Sequence, residues 1–335
     1  MSQHISHINT QKDILITRSH ILRAIRDFFW QQQFLEVETP YIVRLPGQEP
    51  YLSPVELTIH DDRKKAHAAF LHTSPEYTMK KMLASGFENI YSLGKTFRDY
   101  ESFGGTHNPE FTMLEWYRVD ASMFDLMKDV ESLFNVLQEK MKNVELRMQN
   151  SEFVFQRKSM KEVWIETINV NLDEYLTQEK MLSLCKQRGY NVAEEETYED
   201  LFYRIFLNQI EPTLSSGAYI IYNYPAPMAA LAKLSETDPG YAERFEVYID
   251  GMEIANAFSE LTNAEEQLKR LEEEQALRKK LGKTVYDIDI DFIEAVGKLP
   301  KCAGIALGVD RLVQVLLGEE SIDNVLSLPM SKMFP

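Results

Sequence analysis

The stretch FRDYESFGGTHNPEFTMLEWY, residues 97–117, places an arginine and a glutamate where they could act on a charged ligand. Arg98 stands ahead of a loop with two glycines, and an arginine at a strand end can bind a phosphate through two parallel hydrogen bonds. On the returning run, Phe111, Glu115 and Tyr117 share one face because side chains alternate along a strand. Phe111 could stack on a base, and Glu115 with Tyr117 could line a cationic pocket. An ordinary half-buried strand has the same alternation.

A second candidate is the pair of glutamates in RFEVYIDGMEIANAFSEL, residues 244–261. Glu246 and Glu253 are seven positions apart, so on one unbroken strand they would face opposite sides. Asp250-Gly251 is a strong hairpin signal, however, and it predicts that they lie on neighbouring strands. Two convergent carboxylates suit a magnesium–phosphate site. The alternative is a pair of solvent-facing glutamates on a two-stranded ribbon.

Arg311, in GVDRLV, is the third candidate. It falls in the first turn of a predicted helix, with Asp310 near the helix start. A cation there opposes the helix dipole, which suits an arginine that faces an anion. The same sequence also fits two alternatives: an arginine extended along the surface, or one paired with Asp310. Together the three stretches describe arginine clamps, acidic metal ligands and an acidic pocket around a nucleotide.

The elements that must hold these side chains alternate between strand and helix patterns. The expected elements are a helix at 18–34, a strand at 34–40, a strand-to-helix segment at 71–86, a hairpin around 97–117, a helix at 122–141, strands within 217–261, and a strand running into a helix at 302–318. In the 71–86 segment, Ser74 suits the helix cap and Pro75 the first helical position. Helical patterns dominate 155–215, which predicts a helical insertion into a sheet-based α+β domain.

Composition narrows the functional class. The formal net charge is −16 and the pI is about 5.0, which argues against an extensive nucleic-acid footprint, because phosphate backbones attract basic surfaces. The amino-terminal stretch has no apolar core typical of a signal peptide, and no apolar run approaches the roughly 20 residues that span a bilayer. The two cysteines, Cys185 and Cys302, fit buried thiols in a reducing cytoplasm.

Three ordered motifs carry a resemblance that covers the chain from about residue 18 to its end. FRDYESFGGTHNPEFTMLEWY resembles motif 2 of class II aminoacyl-tRNA synthetases, GIALGVDRLVQVLLG resembles motif 3, and FLEVETP, ending at Pro40, resembles motif 1. HTSPEY, HNPEFTMLEWY and MEIANAFSELTNAEEQ are similar to the lysyl branch. The resemblance implies an α+β class II catalytic fold: a mainly antiparallel sheet flanked by helices, forming a single domain over 1–335.

Motif 1 begins almost at once, so we expect no N-terminal anticodon-binding barrel. A stand-alone core of this kind resembles the elongation factor P–(R)-β-lysine ligases. That resemblance implies ATP-dependent activation of (R)-β-lysine as an aminoacyl-adenylate, followed by transfer to the ε-amino group of a lysine on elongation factor P. It also implies a homodimer formed through motif 1. The alternatives are a lysyl-tRNA ligase that activates α-lysine and a catalytically silent paralogue with a regulatory role.

The family's functional residues transfer to this chain motif by motif, with ATP and Mg²⁺ as cofactors. By resemblance, the ATP-binding residues are Arg98, Glu101, His107, Asn108, Phe111 and Arg311, the substrate-binding residues are Ser74, Glu76, Glu115, Tyr117, Asn256, Glu260 and Ala306, and the metal ligands are Glu246 and Glu253. Arg98 and Arg311 are the catalytic arginines, on the α- and γ-phosphates. Glu76 is expected at the substrate's amino group, although a glutamate in the first turn of a helix is also common without such a role.

The chain departs from the lysyl-tRNA synthetase pattern at informative places. Tyr100 stands where motif 2 usually has a glutamate, so Glu101 is expected to replace it, and Thr106 stands where those enzymes have an arginine. Ala306 replaces a motif 3 glycine, and its methyl group would crowd an α-amino group while leaving room for a β-amino group. The hairpin tip YESFGGT has no basic residue, which suits contact with a protein rather than with a nucleic acid.

Overall fold

The computed structural model describes residues 3–142 and 153–334. Its strands are β1 Leu35–Glu36, β2 Ile42–Val43, β3 Glu56–His60, β4 Ala66–Leu71, β5 Ile90–Phe97, β6 Glu110–Val119, β7 Phe155–Ser159, β8 Ala218–Pro225, β9 Tyr241–Ile249, β10 Met252–Ser259 and β11 Cys302–Gly308. Its α-helices are α1 Gln3–Thr10, α2 Lys12–Gln31, α3 Glu76–Ala84, α4 Met123–Lys142, α5 Met160–Ile168, α6 Gln178–Gln187, α7 Tyr198–Ile205, α8 Ala264–Lys280, α9 Ile290–Val296, α10 Val309–Leu317 and α11 Met330–Met333.

An eight-stranded sheet in the order β1-β5-β6-β11-β10-β9-β8-β7 forms the centre of the fold. Its six inner strands pair antiparallel, and the edge strands β1 and β7 pair parallel with their neighbours. A smaller antiparallel sheet has the order β2-β4-β3. The predicted α+β class, with a mainly antiparallel sheet flanked by helices, is confirmed.

Helices α2 and α4 contribute to the main core, which includes residues from most strands of the large sheet. Phe29 of α2 lies with its ring centroid 5.2 Å from that of Trp116 on β6, and both side chains are fully buried, as is Leu133 of α4. Burial of such large apolar side chains is the dominant favourable contribution to folding. The sheet therefore has a firm support behind the strands that carry the candidate site.

The helical insertion packs against the far end of the same sheet. Trp164 of α5 and Phe202 of α7 belong to a second core with Tyr224 and Tyr248 of β8 and β9. The insertion was predicted to begin at about residue 155, whereas 155–159 form the edge strand β7 paired with β8 and the helical part begins at Met160. The pairing joins segments about sixty residues apart, so local sequence patterns carry no signal for it.

Several predicted boundaries also shift. Helix α2 begins at Lys12 rather than at residue 18, and the expected strand over 34–40 is reduced to Leu35–Glu36. Helix α3 begins at Glu76, one residue later than Pro75 suggested, while Ser74 Oγ still accepts a hydrogen bond from the Glu76 backbone N–H over 3.0 Å. Both cysteines are free and buried, as expected. Within the described ranges, every helix is too short or too polar to cross a membrane.

Candidate active site

Strands β6, β10 and β11, together with the start of α10, line a cleft of about 430 Å³. The sequence-predicted residues that line it are Ser74, Glu76, Arg98, Glu101, His107, Asn108, Phe111, Glu115, Tyr117, Glu253, Asn256, Glu260, Ala306 and Arg311. Glu246 lies outside the lining. Residues that are distant in the sequence therefore meet in one cleft, and Phe111, Glu115 and Tyr117 share a face as the alternation of β6 predicted.

Strand register explains how the predicted substrate-binding residues come together. Ala306 of β11 lies opposite Glu115 of β6 on one side and Asn256 of β10 on the other. Gly304 lies opposite Tyr117. Cross-strand partners present their side chains on the same face of a sheet, so these residues form a continuous floor. The methyl group of Ala306 stands in the middle of that floor.

Arg98 and Arg311 occupy one end of the cleft. The Arg98 guanidinium lies 5.1 Å from the centroid of the Phe111 ring, and its Nε is buried without a hydrogen-bond partner in the described structure. A buried cationic donor left without a partner is costly, so an anion bound there would relieve that cost. The ring contact is a cation–π interaction that holds the guanidinium in place.

Arg311 is held by the hairpin tip and by β10. Its Nε donates to the Thr106 carbonyl over 3.1 Å, its Nη1 donates to the Glu253 carbonyl over 2.8 Å, and its Nη2 lies 2.9 Å from His107 Nε2. Asp310 instead pairs with Arg18 at 2.5 Å. The alternative in which Arg311 pairs with Asp310 is therefore wrong. Burial, and then the charge of Arg311, lowers the pKa of His107, so the ring is neutral near neutral pH.

The carboxy-terminal segment supports the same tip. The Ile322 backbone N–H donates to the Gly105 carbonyl over 2.7 Å, and the Met330 backbone N–H donates to Asn108 Oδ1 over 2.9 Å. Gly104 and Gly105 have φ angles of +102° and +67°, which favour glycine. The loop between β5 and β6 is thereby fixed beside Arg311.

The other end of the cleft is acidic. Glu115 accepts hydrogen bonds from Ser74 Oγ over 2.7 Å and from the Tyr117 hydroxyl over 2.8 Å. Burial, followed by the charge of Glu76, raises the pKa of Glu115 to about 8. Burial also raises the pKa of Glu260 to about 7, although Lys80 opposes the rise. These carboxyls would ionise more readily if an ammonium group were bound between them.

The two candidate metal ligands lie on neighbouring strands, as the Asp250-Gly251 turn predicted. Glu253 has a side chain that is 42% exposed, with Oε2 3.6 Å from Arg311 Nη1. Glu246 is 3% exposed and accepts hydrogen bonds of 2.6 Å from Arg244 Nη2, the Tyr224 hydroxyl and the Tyr248 hydroxyl. The alternative in which both glutamates face solvent is therefore wrong.

The fit to Mg²⁺ differs between the two glutamates. In residues 3–142 and 153–334, no group of three or more histidine, cysteine, aspartate or glutamate side chains could hold a metal. Mg²⁺ at nucleotide sites commonly needs only one or two carboxylates besides the phosphates. Glu253 fits that role because its carboxylate faces the cleft. Glu246 lies outside the cleft lining and already accepts three hydrogen bonds, so it fits direct metal binding less well than Glu253 does.

Sequence reasoning missed several residues in the cleft lining and directly behind it. Lys80 is fully buried against Glu76 and Glu260, and its i, i+4 spacing from Glu76 was an available signal. Arg244 donates to Asn256 Oδ1 over 3.1 Å, which orients a predicted substrate ligand. Glu199 reaches the cleft from the helical insertion, a contact between segments too distant for local patterns to indicate.

Comparison with known proteins agrees with this geometry. The family model of class II tRNA synthetases (D, K and N) matches residues 4–332. The elongation factor P–(R)-β-lysine ligase of Histophilus somni (strain 2336) is 39% identical over 316 residues, covering 93% of this chain and 94% of the relative. The ligases of Vibrio cholerae serotype O1 and Avibacterium paragallinarum are 38% and 36% identical, over 94% and 98% of both chains. The chain belongs to the class II tRNA synthetase family and, within it, to the elongation factor P–(R)-β-lysine ligases.

Proposed function

We propose that this protein is an ATP-dependent ligase that activates (R)-β-lysine and joins it to the ε-amino group of a lysine on elongation factor P. The main support for the proposal is the cross-strand row Asn256–Ala306–Glu115. In this row the methyl group of Ala306 projects from the floor of an acidic amino-acid pocket. That pocket adjoins two arginines, as an amino-acid-activating enzyme needs. The relatives that match nearly the whole chain bear the name of this activity.

In the first step, the carboxylate of β-lysine attacks the α-phosphorus of ATP, and pyrophosphate leaves. Arg98 binds the α-phosphate and the attacking carboxylate, and Arg311 binds the γ-phosphate. Fixed cations aimed at developing negative charge supply most of the rate enhancement in such reactions. Mg²⁺, when bound, would neutralise phosphate charge, and Glu253 would hold it with Glu246 behind it.

Binding residues orient the two substrates for that attack. His107, Asn108 and Glu101 frame the nucleotide, and Phe111 lies under the adenine. Glu76, Glu115 and Glu260 bind the ammonium groups of the amino acid, with Ser74 and Tyr117 holding Glu115 in place. Holding the reacting atoms together in this way replaces a chance encounter in solution.

In the second step, the neutral ε-amine of the acceptor lysine attacks the carbonyl carbon of the mixed anhydride. The carbon–nitrogen bond forms, the bond from carbon to the phosphate oxygen breaks, and AMP leaves. The amine loses a proton to the surrounding water as the amide forms. We assign the docking of elongation factor P to the hairpin tip 100–106, where Tyr100 is 89% exposed and basic side chains are lacking.

The protein works as a homodimer in the cytoplasm, with the motif 1 helix and strand at the interface. Trp30 at the end of α2 is 74% exposed, and Leu35 on β1 is also exposed. Large exposed apolar side chains of this kind suit a protein interface. Sedimentation of the wild type and of Trp30→Asp tests the homodimer. If Trp30 lies at the interface, the variant should sediment more slowly than the wild type.

The function is tested by mass spectrometry of elongation factor P after incubation with the enzyme, ATP and each lysine isomer. We expect a mass increase of one lysyl residue on a single lysine, and more of it with (R)-β-lysine than with α-lysine. Charging of tRNA with α-lysine, without modification of elongation factor P, would instead identify a tRNA ligase. Absence of pyrophosphate exchange with both isomers would identify a catalytically silent paralogue.

A further inference from the structure

Lys80, on α3, is a fully buried cation behind the acidic end of the cleft, where its partners Glu76 and Glu260 form part of the lining. Its Nζ lies 2.7 Å from Oε1 of Glu76 and 2.6 Å from Oε2 of Glu260. The side chain has 0% exposure, so these carboxylates replace its water shell. A buried ammonium group is tolerated only when it is paired in this way. Lys80 is therefore a fixed support behind the pocket wall rather than a surface residue.

The pairing leaves unused acceptors on the carboxylates. Oε1 of Glu260 is buried and lacks a hydrogen-bond partner within the described residues. It points toward Gly304, because a Cβ atom at that glycine would lie 2.5 Å away. Glu115 is held by Ser74 and Tyr117, both neutral hydroxyl donors, so its charge is not balanced by either of them. An incoming ammonium group therefore meets carboxylates that are oriented but incompletely neutralised.

These contacts have a consequence for ligand binding. Lys80 joins Glu76 and Glu260, whose side chains line the cleft, in one ion-pair network, and its charge offsets their repulsion. We propose that Lys80 is a built-in counter-ion that keeps both carboxylates in place as acceptors for the ammonium groups of the ligand. The inference rests on the proposed function and identifies Lys80 as a positioning residue, since it acts through Glu76 and Glu260.

The groups that face Lys80 come from five places in the fold. They are Glu76 on the same helix, Glu260 after β10, Glu115 on β6 and the Cys302 thiol on β11, and the Phe292 ring of α9 lies 5.9 Å from Nζ. Burial disfavours the charged form of Lys80, but the attraction of Glu260 and Glu76 outweighs burial and raises its pKa. The ammonium is therefore charged at every pH at which the enzyme works.

Without Lys80, Glu76 and Glu260 would face each other as like charges. Two carboxylates that share a site retain a proton, because one of the two pKa values is strongly raised. A ligand with two ammonium groups would then have to displace that proton before it could bind. The affinity for β-lysine would fall near neutral pH and recover as the pH rises.

The test compares Lys80→Met with Lys81→Met, in which the neighbouring lysine loses its ion pair with Asp289 outside the network. Pyrophosphate exchange gives the KM for (R)-β-lysine and for ATP from about pH 6.5 to about pH 9. Calorimetry in buffers of different ionisation enthalpy counts the protons released on β-lysine binding.

For Lys80→Met we expect the KM for β-lysine at about pH 7 to rise at least about tenfold, because one pKa unit of lost interaction corresponds to a factor of ten in affinity. We also expect additional proton release, an unchanged KM for ATP and recovery at higher pH. Lys81→Met should match the wild type.

An equal rise of both KM values, or a rise that is the same at every pH, would show a purely structural role and overturn the proposal. If Lys80→Met does not fold, Lys80→Gln and the charge-retaining Lys80→Arg are compared in the same titration. If the KM for β-lysine depended on pH in the same way in Lys80→Gln and Lys80→Arg, the proposal would also be overturned. Failure of the proposed function is distinguishable from failure of this inference. The first would appear as a wild-type enzyme that does not modify elongation factor P, whereas the binding measurements above do not use elongation factor P.

Discussion

Arg244 and Glu246, two residues apart on β9, form a buried ion pair with 2.6 Å between Nη2 and Oε1. The same guanidinium donates from Nε to Asn256 Oδ1 and from Nη1 to the Met228 carbonyl. The pair thus connects a candidate metal ligand with a candidate ligand of the substrate carboxylate. It also gives Glu246 a structural role that Glu253, open to the cleft, does not share.

Substitutions at the two glutamates should therefore separate stability from metal dependence. We expect Glu246→Gln to lower the free energy of unfolding by about 3 kcal/mol, because it removes one charge of a buried ion pair. Glu253→Gln should cost less than about 1 kcal/mol, since its ion pair with Arg311 is long and partly exposed. Urea denaturation measures both values.

The Mg²⁺ dependence of pyrophosphate exchange supplies the second readout. Glu253→Gln should raise the Mg²⁺ concentration for half-maximal exchange by at least about tenfold, the effect of losing about 1.4 kcal/mol of binding. Equal stability losses, or an unchanged Mg²⁺ requirement in Glu253→Gln, would contradict the assignment.

Gly304 leaves no room for a side chain. A Cβ atom would lie 2.5 Å from Glu260 Oε1 and would also meet the Tyr117 ring. We expect Gly304→Ala to abolish measurable β-lysine binding while ATP binding persists, and to destabilise the fold by about 1–3 kcal/mol through overpacking. Calorimetric titration with each ligand measures this. Gly297→Ala, at the end of α9 and outside the cleft lining, is the control. Retention of β-lysine affinity in Gly304→Ala would exclude the proposed pocket.

Ala306 should set the preference between lysine isomers. Its methyl group lies between Asn256 and Glu115, so Ala306→Gly should enlarge the floor and raise kcat/KM for α-lysine relative to (R)-β-lysine by about tenfold, the range that one methylene group gives. Pyrophosphate exchange with both isomers gives the ratio. Ala303→Gly, on the same strand but in the main core, should lower stability without changing the ratio. A ratio equal to that of the wild type would disprove this role of the methyl group.

Binding of β-lysine should strengthen as the pH rises through 7 to 8. In the empty pocket Glu115 and Glu260 have raised pKa values of about 8 and about 7, caused first by burial, so the folded protein retains protons that the unfolded chain has released. These groups therefore lower the stability of the empty enzyme as the pH rises through that window. Bound ammonium groups offset this loss.

The measurement is the increase in Tm that saturating β-lysine produces, which should grow between about pH 6 and about pH 8.5. Glu115→Gln should flatten the increase because it removes one titrating group. An increase in Tm that is independent of pH would show that these carboxyls do not titrate on binding.

The sequence indicated most of the site because its signals there are local. Alternation along β6 placed Phe111, Glu115 and Tyr117 on one face, and Asp250-Gly251 placed a turn where both residues have positive φ angles, of 49° and 80°. Such signals require only neighbouring residues. The roles of the individual residues in binding ATP, lysine and metal stay predictions.

What the sequence did not indicate depends on contacts between distant segments. A bulge lies between Glu253 and Ala255, so Glu253 and Asn256 share a face although they are three positions apart. Pattern reasoning cannot place such an irregularity, because a single extra residue reverses the alternation. Glu199 from the insertion reaches the cleft by packing across the sheet in the same non-local way.

The attachment of the carboxy-terminal segment to the hairpin tip has a practical consequence for purification. Ile322 and Met330 hold the loop that carries Gly105 and Asn108, and His4 Nε2 lies 3.1 Å from the Lys332 carbonyl. An affinity tag fused closely behind this segment would strain the loop beside the proposed nucleotide site. A tag joined through a long flexible linker avoids that strain, and comparison of ATP affinity before and after tag cleavage reveals whether the loop has been disturbed.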